Sequence, residues 1–456
     1  MNEDLITKIF NAFNPSDPLQ PGDPAYVPCS EVRGNENIFN EIGRKILRSN
    51  KSTCQLYTGH RGAGKSTELL RLKKYLEDNG CFVVYFGATD GDIDEQDASY
   101  TDIILACTRN ILLELKNYAK PDPLLNWLKS RWQSLKDLAL SEVDFEQLAV
   151  EQQIGLFTKL TASIRRVPSK REEIRKQVDL YSISLLDALN EFIQEANQNL
   201  PNNKSKLVVV ADNLDRIVPL VRENGRTNYD EIFLDYSTQL IALNCHVIYT
   251  VPISLVYSNR ASELRNIYDT PQILPMIEIK KKDSQDYEPG LNTLKTIIEK
   301  RLIPYVKELS KFHIQRSGDS YDLGIFDTQE TRLKLCRMTG GHVRELMLFM
   351  QSAMDWIDDL PITGTAINRA INEARDSTYR VAVDEHEWEK LAIVSKHKNC
   401  PNDEEYRSLL FRRCVLEYRA SDGQGNTQRW YDIHPLIEEI EEFKAAMQRL
   451  KQSKSD

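Results

Sequence analysis

The stretch Gly59-His60-Arg61-Gly62-Ala63-Gly64-Lys65-Ser66-Thr67 constrains this chain more than any other. It fits the pattern G-x-x-x-x-G-K-[ST], and its flanks fit as well. Cys54–Thr58 reads as a short strand, and Leu69, Leu70, Leu72 and Leu76 fall on one side of an amphipathic stretch that follows. A strand running through a glycine-rich loop into a helix is the context this motif requires. The glycines let backbone N–H groups turn toward a phosphate chain, and the N-terminus of the new helix adds favourable partial charge. Lys65 supplies a mobile cation for the β- and γ-phosphates. The Ser66 hydroxyl suits Mg²⁺, and Thr67 steadies the α-phosphate side. The expectation is a site for ATP with Mg²⁺.

Such a loop needs a second strand that carries an acid for the metal. Residues 206–216, KLVVVADNLDR, give a continuous apolar run that ends at Asp212, with Asp215 three positions on. An uninterrupted apolar strand is one covered by helices on both faces, and ligands in such sheets bind at the strand ends. Asp212 is expected to hold Mg²⁺ directly or through water.

The rest of the composition fits a soluble globular protein. With 456 residues, 41% hydrophobic and 28% charged, the chain is neither disordered nor collagen-like, and about three domains are expected. No apolar run reaches the roughly 20 residues of a spanning helix, and MNEDLITKIF has no signal-peptide pattern, so a cytoplasmic protein without membrane contact is expected. The eight cysteines are scattered without metal-ligand spacing and read as small buried hydrophobes. A net charge of −9 argues against coating nucleic acid or anionic membrane by bulk electrostatics.

On the loop and the Asp212 strand, the chain resembles the AAA+ and STAND group of P-loop ATPases, nearest the origin-recognition-complex-like and NACHT-like branches. That group often has Glu directly after the metal aspartate; here the position is Asn213, and Asp212-Asn213-Leu214-Asp215-Arg216 approaches the D-G-L-D-E of STAND sequences. An amide does not take up a proton near neutral pH. Either Asp215 polarises the attacking water or hydrolysis is slow, and slow turnover, that of a switch, is the expectation. The resemblance further implies that Arg33, within SEVRGNENIFNEIGRKIL, packs near the adenine. It implies that Thr250, at the end of HVIYTVPISL, is a sensor beside the γ-phosphate, and that Arg344, after Gly340-Gly341, is the lid arginine. Arg260 or Arg265 in NRASELR would be an arginine finger acting on a neighbouring copy, with Arg216 as an alternative acting in cis.

The implied fold is α/β: a P-loop NTPase core with a parallel doubly wound sheet, a helical insertion, a helical lid and a C-terminal winged helix. Strands are expected at 54–58, 81–87, 206–211, 246–251 and 272–279. The boundaries are 1–50 for an N-terminal segment, 51–285 for the core with its insertion at about 118–180, 286–378 for the lid, 379–445 for the winged helix and 446–456 for a polar tail. More than 110 residues separate the second strand from the Asp212 strand, far beyond an ordinary βα unit. Within them RRVPSKREEIRKQ (165–177) holds six basic residues against two acids. That cluster reads either as a phosphate-backbone contact or as a helix surface laced by Glu172 and Glu173. The 384–445 segment reads helix, helix opened by an Asn or Asp cap, strand, glycine-rich turn, strand, helix. It carries nine Lys/Arg against fourteen Asp/Glu, which favours a protein partner over DNA.

Three functions follow. The first is a slow ATPase switch that forms a homo-oligomer on ATP binding and engages a protein partner through the winged helix, in defence or signalling. The second is a DNA-associated ATPase of the origin, transposition or repair type. The third is a nucleotide-binding protein without turnover.

Overall fold

A computed structural model describes residues 2–135, 145–201, 203–222, 226–309, 324–422, 424 and 426–452. The chain divides into two compact units. The sheet unit comprises Ile38–Thr58 and Leu69–Gln272; the loop unit comprises Met1–Asn37, Gly59–Glu68 and Ile273–Asp456. The glycine-rich loop falls in the same unit as the C-terminal half of the chain, and the strand that feeds it falls in the other.

The sheet contains β1 (Cys54–Gly59), β2 (Cys81–Gly87), β3 (Lys206–Asp212), β4 (His246–Thr250) and β5 (Gln272–Leu274), in the order β2-β3-β4-β1-β5. β1 pairs with β4, and β3 pairs with β2 and β4, all in parallel. Val208, Val209 and Val210 are fully buried, as their unbroken apolar run requires of a strand with no wet face. The register sets Gly87 opposite Asp212 and Tyr57 opposite Thr250. The ends of β1 to β4 therefore share one edge, where the chain leaves β1 at Gly59.

β5 is shorter than the expected 272–279, for a backbone reason. Pro275 has no N–H to give a sheet partner. Beyond it, the N–H of Met276 goes to the Glu417 carbonyl (3.1 Å) and that of Glu278 to the Val32 carbonyl (2.8 Å). Met276, Ile277 and Ile279 stay buried, so the apolar signal was genuine but belongs to the core of the loop unit.

Between β2 and β3 the sheet unit is helical over more than the expected 118–180. Helices occupy Tyr100–Leu115, Asp122–Ser130, Trp132–Leu135, Val150–Arg166, Pro168–Leu180 and Ser182–Gln198. Trp127 and Trp132 are buried core residues beside Phe157 and Phe145. The acidic piece near 141–151 lies partly outside the described residues.

Two of the cluster's six basic residues, Arg171 and Arg175, are ion-paired within the fold, while Arg165, Arg166 and Lys176 are exposed. Arg171 gives its Nη1 to Asp97 (2.8 Å), its Nη2 to Asp94 (2.6 Å) and its Nε to the Ile164 carbonyl (2.7 Å). Arg175 binds Asp97 and Asp102, each at 3.0 Å. Burial raises the Asp102 carboxyl above its ordinary range, against the opposing pull of Arg175. The helix face is laced as the structural alternative requires, but by carboxylates of the segment after β2 rather than by Glu172 and Glu173.

In the loop unit, helices lie at Glu288–Leu302, Gln329–Met338, Val343–Met354 and Gly364–Ala374. The N-terminal helix Asn2–Ala12 is tied to them by Arg301 Nη1 to the Ala12 carbonyl (3.2 Å) and Gln351 Nε2 to the Phe10 carbonyl (3.1 Å). The C-terminal module runs helix Trp388–His397, helix Glu404–Phe411, an antiparallel hairpin of β6 (Val415–Ser421) and β7 (Thr427–Ile433), then helices Pro435–Glu438 and Glu441–Gln452. The cap of Glu404–Phe411 is Asp403, whose carboxylate accepts the Tyr406 N–H (3.2 Å). His434 caps the helix opened by Pro435. Residues 453–456 of the polar tail lie outside the described residues. No helix among the described residues is long and apolar enough to cross a membrane.

Candidate nucleotide site

Within the loop unit the glycine-rich loop is bonded to four distant segments, around residues 19, 33, 342–344 and 417. Lys65 is 5% exposed and turns back on the loop, giving Nζ to the carbonyls of Gly59 (2.9 Å) and His60 (3.0 Å). The Arg61 carbonyl meets His342 Nε2 at 2.6 Å, and the Gly62 carbonyl accepts the Arg344 N–H at 3.2 Å. Buried Arg33 donates to the Ala63 carbonyl (2.7 Å). The Thr67 hydroxyl accepts the Leu19 N–H (3.2 Å). His60, inside the loop, accepts the Glu417 N–H of β6 on Nε2 at 2.9 Å.

Gly62 could not be another residue. Its φ is +90°, and an added Cβ would lie 2.4 Å from His342 Cε1 and 2.8 Å from Arg344 Cβ. His342 reaches this position because it follows the Gly340-Gly341 turn and caps the helix Val343–Met354, its Nδ1 accepting the Glu345 N–H at 3.0 Å.

Three of the chain's seven histidines lie in this unit's core and are held neutral. Burial, reinforced by Lys65 and Arg413, pushes the His60 pKa down to about 3. Burial and Arg413 also hold His342 and His434 well below the usual imidazole range. Nearby Glu345 is pushed upward by burial, with Arg413 (3.2 Å) and the Tyr379 hydroxyl (3.1 Å) acting the other way.

In the sheet unit the acids of the DNLD motif end β3. Asp212 is fully buried, accepting the Asn213 N–H on Oδ1 (2.7 Å) and the Tyr85 hydroxyl on Oδ2 (2.6 Å). Thr250, also fully buried, accepts the Leu214 N–H at 2.9 Å and lies 3.5 Å from the Ala211 carbonyl. Its hydroxyl therefore holds the turn that carries Asp212. Asp215 is 7% exposed within that turn, Leu214–Arg216. Among the described residues no group of three or more His, Cys, Asp or Glu side chains could hold a metal ion. Within the sheet unit Asp212 is a single carboxylate, the kind of sparse oxygen ligand that suits Mg²⁺, which keeps waters and takes further ligands from phosphates.

The two candidate finger arginines differ. Arg260 is bonded to Glu263 (2.8 and 2.7 Å) and Asp235 (3.1 Å), and these carboxylates raise its pKa. Arg265 is exposed on the helix Ala261–Tyr268. Arg216 lies 3.7 Å from Asp90 and 3.9 Å from Glu95.

Residues 35–220 match the KAP family P-loop domain. The fold is that of a P-loop NTPase. The P-loop ATPase resemblance read from the sequence thus holds on this match and on the sheet. Among solved structures, the chain is similar to Cdc6p from Pyrobaculum aerophilum, at 12% identity and TM-score 0.39 over 96% of this chain and 98% of that one. It is similar to the Aeropyrum pernix ORC2 protein in its ADP form, at 11% identity and TM-score 0.43 over 96% and 98%. It is also similar to the A. pernix ORC1 protein in complex with DNA, at 13% identity and TM-score 0.38 over 96% of both chains. No curated protein sequence matches.

Sequence reasoning missed His342, Tyr85 and the clamping role of His60. One signal was available: a histidine inside the P-loop of this P-loop NTPase, and others beside the Gly340-Gly341 and Pro435 turns, in a chain with few histidines. For Tyr85 there was none, because its partner is 127 residues away.

Proposed function

We propose that the chain is a slow ATPase switch. The P-loop would bind the triphosphate, with Lys65 on the β- and γ-phosphates, the N–H groups of Gly59 to Thr67 around the phosphate chain, and Ser66 and Asp212 as the protein ligands of Mg²⁺. Bound Mg²⁺ would supply neutralising charge on the transferring phosphoryl group. The observation that carries the reading is the loop unit itself. Residues that the motif assigns to nucleotide are bonded to Arg33, to His342 and Arg344 of the lid helix, and to β6 of the C-terminal module.

Entry of a triphosphate would draw Lys65 Nζ away from the Gly59 and His60 carbonyls. The loop would then shift against His342 and Glu417, and the change would pass directly to lid and module. That is a local charge event acting on a packed, two-state element. Arg344 is the lid arginine and Thr250 a positioning residue for the Asp212 turn. Arg265, rather than the ion-paired Arg260, is the finger offered to a second copy. The C-terminal module acts as a winged helix that engages a protein partner. Arg171 and Arg175, bound by carboxylates, support this reading over duplex binding.

The test is ATP hydrolysis by the full chain with Mg²⁺, wild type against Lys65→Ala, with and without duplex DNA. The switch reading expects slow turnover that Lys65→Ala abolishes and DNA does not stimulate. Turnover that survives Lys65→Ala unchanged would overturn it. Stimulation by DNA that weakens steeply with salt would replace it with the DNA-associated reading.

A further inference from the structure

Two adjacent arginines after the helix Glu404–Phe411 are bound in different ways, and both belong to the loop unit. Arg412 holds Glu387 at both ends of its guanidinium, Nη1 to Oε2 at 3.0 Å and Nη2 to Oε1, and also gives Nη1 to the Ala382 carbonyl. A forked pair of that kind is fixed by geometry as well as by charge. Arg413 makes one side-chain hydrogen bond among the described residues, Nη1 to Glu345 Oε1 at 3.2 Å, and its side chain is 21% exposed. The Tyr379 hydroxyl shares that same oxygen at 3.1 Å. Most of the Arg413 donors are uncommitted.

The backbone also singles out Arg413. The Cys414 N–H bonds the Leu409 carbonyl (2.9 Å) and the Arg413 N–H bonds the Leu410 carbonyl (3.2 Å), the double closure of a Schellman turn. Its left-handed position is usually glycine; here it is Arg413, at φ +65°. A guanidinium is therefore kept where the local chain favours no side chain, and it is kept near the phosphate loop. Arg413 lies four residues before Glu417, whose N–H goes to His60 of that loop (2.9 Å), a span of at most about 14 Å along the chain. Its partner Glu345 donates its N–H to His342 Nδ1 (3.0 Å), and His342 Nε2 meets the Arg61 carbonyl (2.6 Å). The Arg413 charge helps burial to hold both histidines neutral.

We infer that Arg413 is the residue that distinguishes a nucleoside triphosphate from a diphosphate at this loop, and that Glu345 holds it back until the triphosphate arrives. The inference rests on the reading of the P-loop as the nucleotide site and adds the specificity of that site. A terminal phosphate brings further negative charge and acceptor oxygens, which a planar guanidinium with spare donors matches in shape. Glu345 competes for the same guanidinium at a disadvantage, because burial opposes its charge and it engages Arg413 through one oxygen only. On the exchange of partners Glu345 keeps the Tyr379 hydroxyl. Arg413 is continuous with β6, so its change of partner acts on the strand that His60 binds.

The experiment titrates the full-length chain with fluorescent mant-ADP and mant-ATPγS in Mg²⁺ and compares the ratio of the two Kd values. Arg413→Met is expected to lower the preference for triphosphate about tenfold, the worth of one hydrogen bond to a charged group, with mant-ADP binding kept within about twofold on the same argument. Glu345→Gln frees the arginine and is expected to raise the preference about threefold, as release of a competing state does. The double variant Glu345→Gln with Arg413→Met leaves no buried charge unpaired and is expected to bind like Arg413→Met alone. Arg412→Met, which removes the structural neighbour, should leave the ratio at the wild-type value. Opposite signs at the two ends of one ion pair are what a merely structural contact cannot give. A preference lowered by Glu345→Gln as by Arg413→Met overturns the inference. So does a wild-type ratio in Arg413→Met, or a wild type that binds both nucleotides equally; in a protein whose nucleotide binding Lys65→Ala abolishes, either result leaves the P-loop reading standing. A wild type that binds neither nucleotide overturns both.

Discussion

The two units treat their motif residues in opposite ways. In the loop unit, the P-loop carbonyls of Gly59, His60, Arg61, Gly62 and Ala63 all have partners, and those partners come from residue 33, from 342–344 or from the loop's own lysine. In the sheet unit, Asp212 accepts from Tyr85 on β2 and from the Asn213 N–H, and Thr250 on β4 accepts the Leu214 N–H of the same turn. The proposed switch would break the first set of contacts, which are long-range, and leave the second, between neighbouring strands, intact.

Breaking the moving part at its cation gives the largest effect. Lys65→Ala is expected to cut ATP turnover by roughly 10²–10³-fold, the usual loss when one donor to the transition-state charge is removed; steady-state phosphate release measures it. Removing the Arg171 guanidinium tests the claim that this arginine of the basic cluster is structural. Arg171→Met leaves Asp94 without its guanidinium and Asp97 with Arg175 alone, and is expected to cost about 3 kcal/mol in urea unfolding, whereas exposed Lys176→Ala should stay within about 0.5 kcal/mol. Equal, small losses would return the cluster to the list of nucleic-acid contacts.

Gly62→Ala probes the clamp, since its Cβ would meet His342 at a positive φ. A destabilisation of about 2 kcal/mol is expected from strain and overpacking. Thr250→Val probes the fixed part by leaving the Leu214 N–H without its acceptor, at a cost of about 1–3 kcal/mol. A probe that needs no substitution is pH. His60, His342 and His434 have folded pKa values below that of the unfolded chain, so the unfolded state binds more protons as pH falls below about 6.5. Their contribution is complete above that pH and is lost on acidification at about 1.4 kcal/mol per pH unit for each histidine. Glu345, raised by burial, works in the opposite direction nearer its own range. Thermal unfolding at pH 7.5, 6.5 and 5.5 should show a steep fall that His342→Gln reduces.

What the sequence made legible was local or periodic. The P-loop, the four longer strands, the Asp403 cap and the helix–helix–hairpin order at the C-terminus each follow from signals contained within a few residues of one another. The shortening of β5 was signalled by Pro275, but the apolar run 276–279 outweighed it, because burial alone does not say where backbone N–H groups are bonded. The partners of Arg171 and Arg175 were not legible, as Asp94, Asp97 and Asp102 lie more than seventy residues away. The contact of Asp90 with Asn213 was invisible for the same reason, since the two lie 123 positions apart and meet through the pairing of β2 with β3.

The central claim is that the P-loop binds nucleotide and that binding releases the loop unit's clamp. Hydrogen exchange of the full chain, with and without ATPγS and Mg²⁺, tests it most directly. The account predicts stronger protection at Gly59–Thr67 together with faster exchange of the Glu417 N–H on β6, both abolished by Lys65→Ala, with β3 unchanged. Protection of the loop with β6 unaffected, or no nucleotide-dependent change at all, would contradict it.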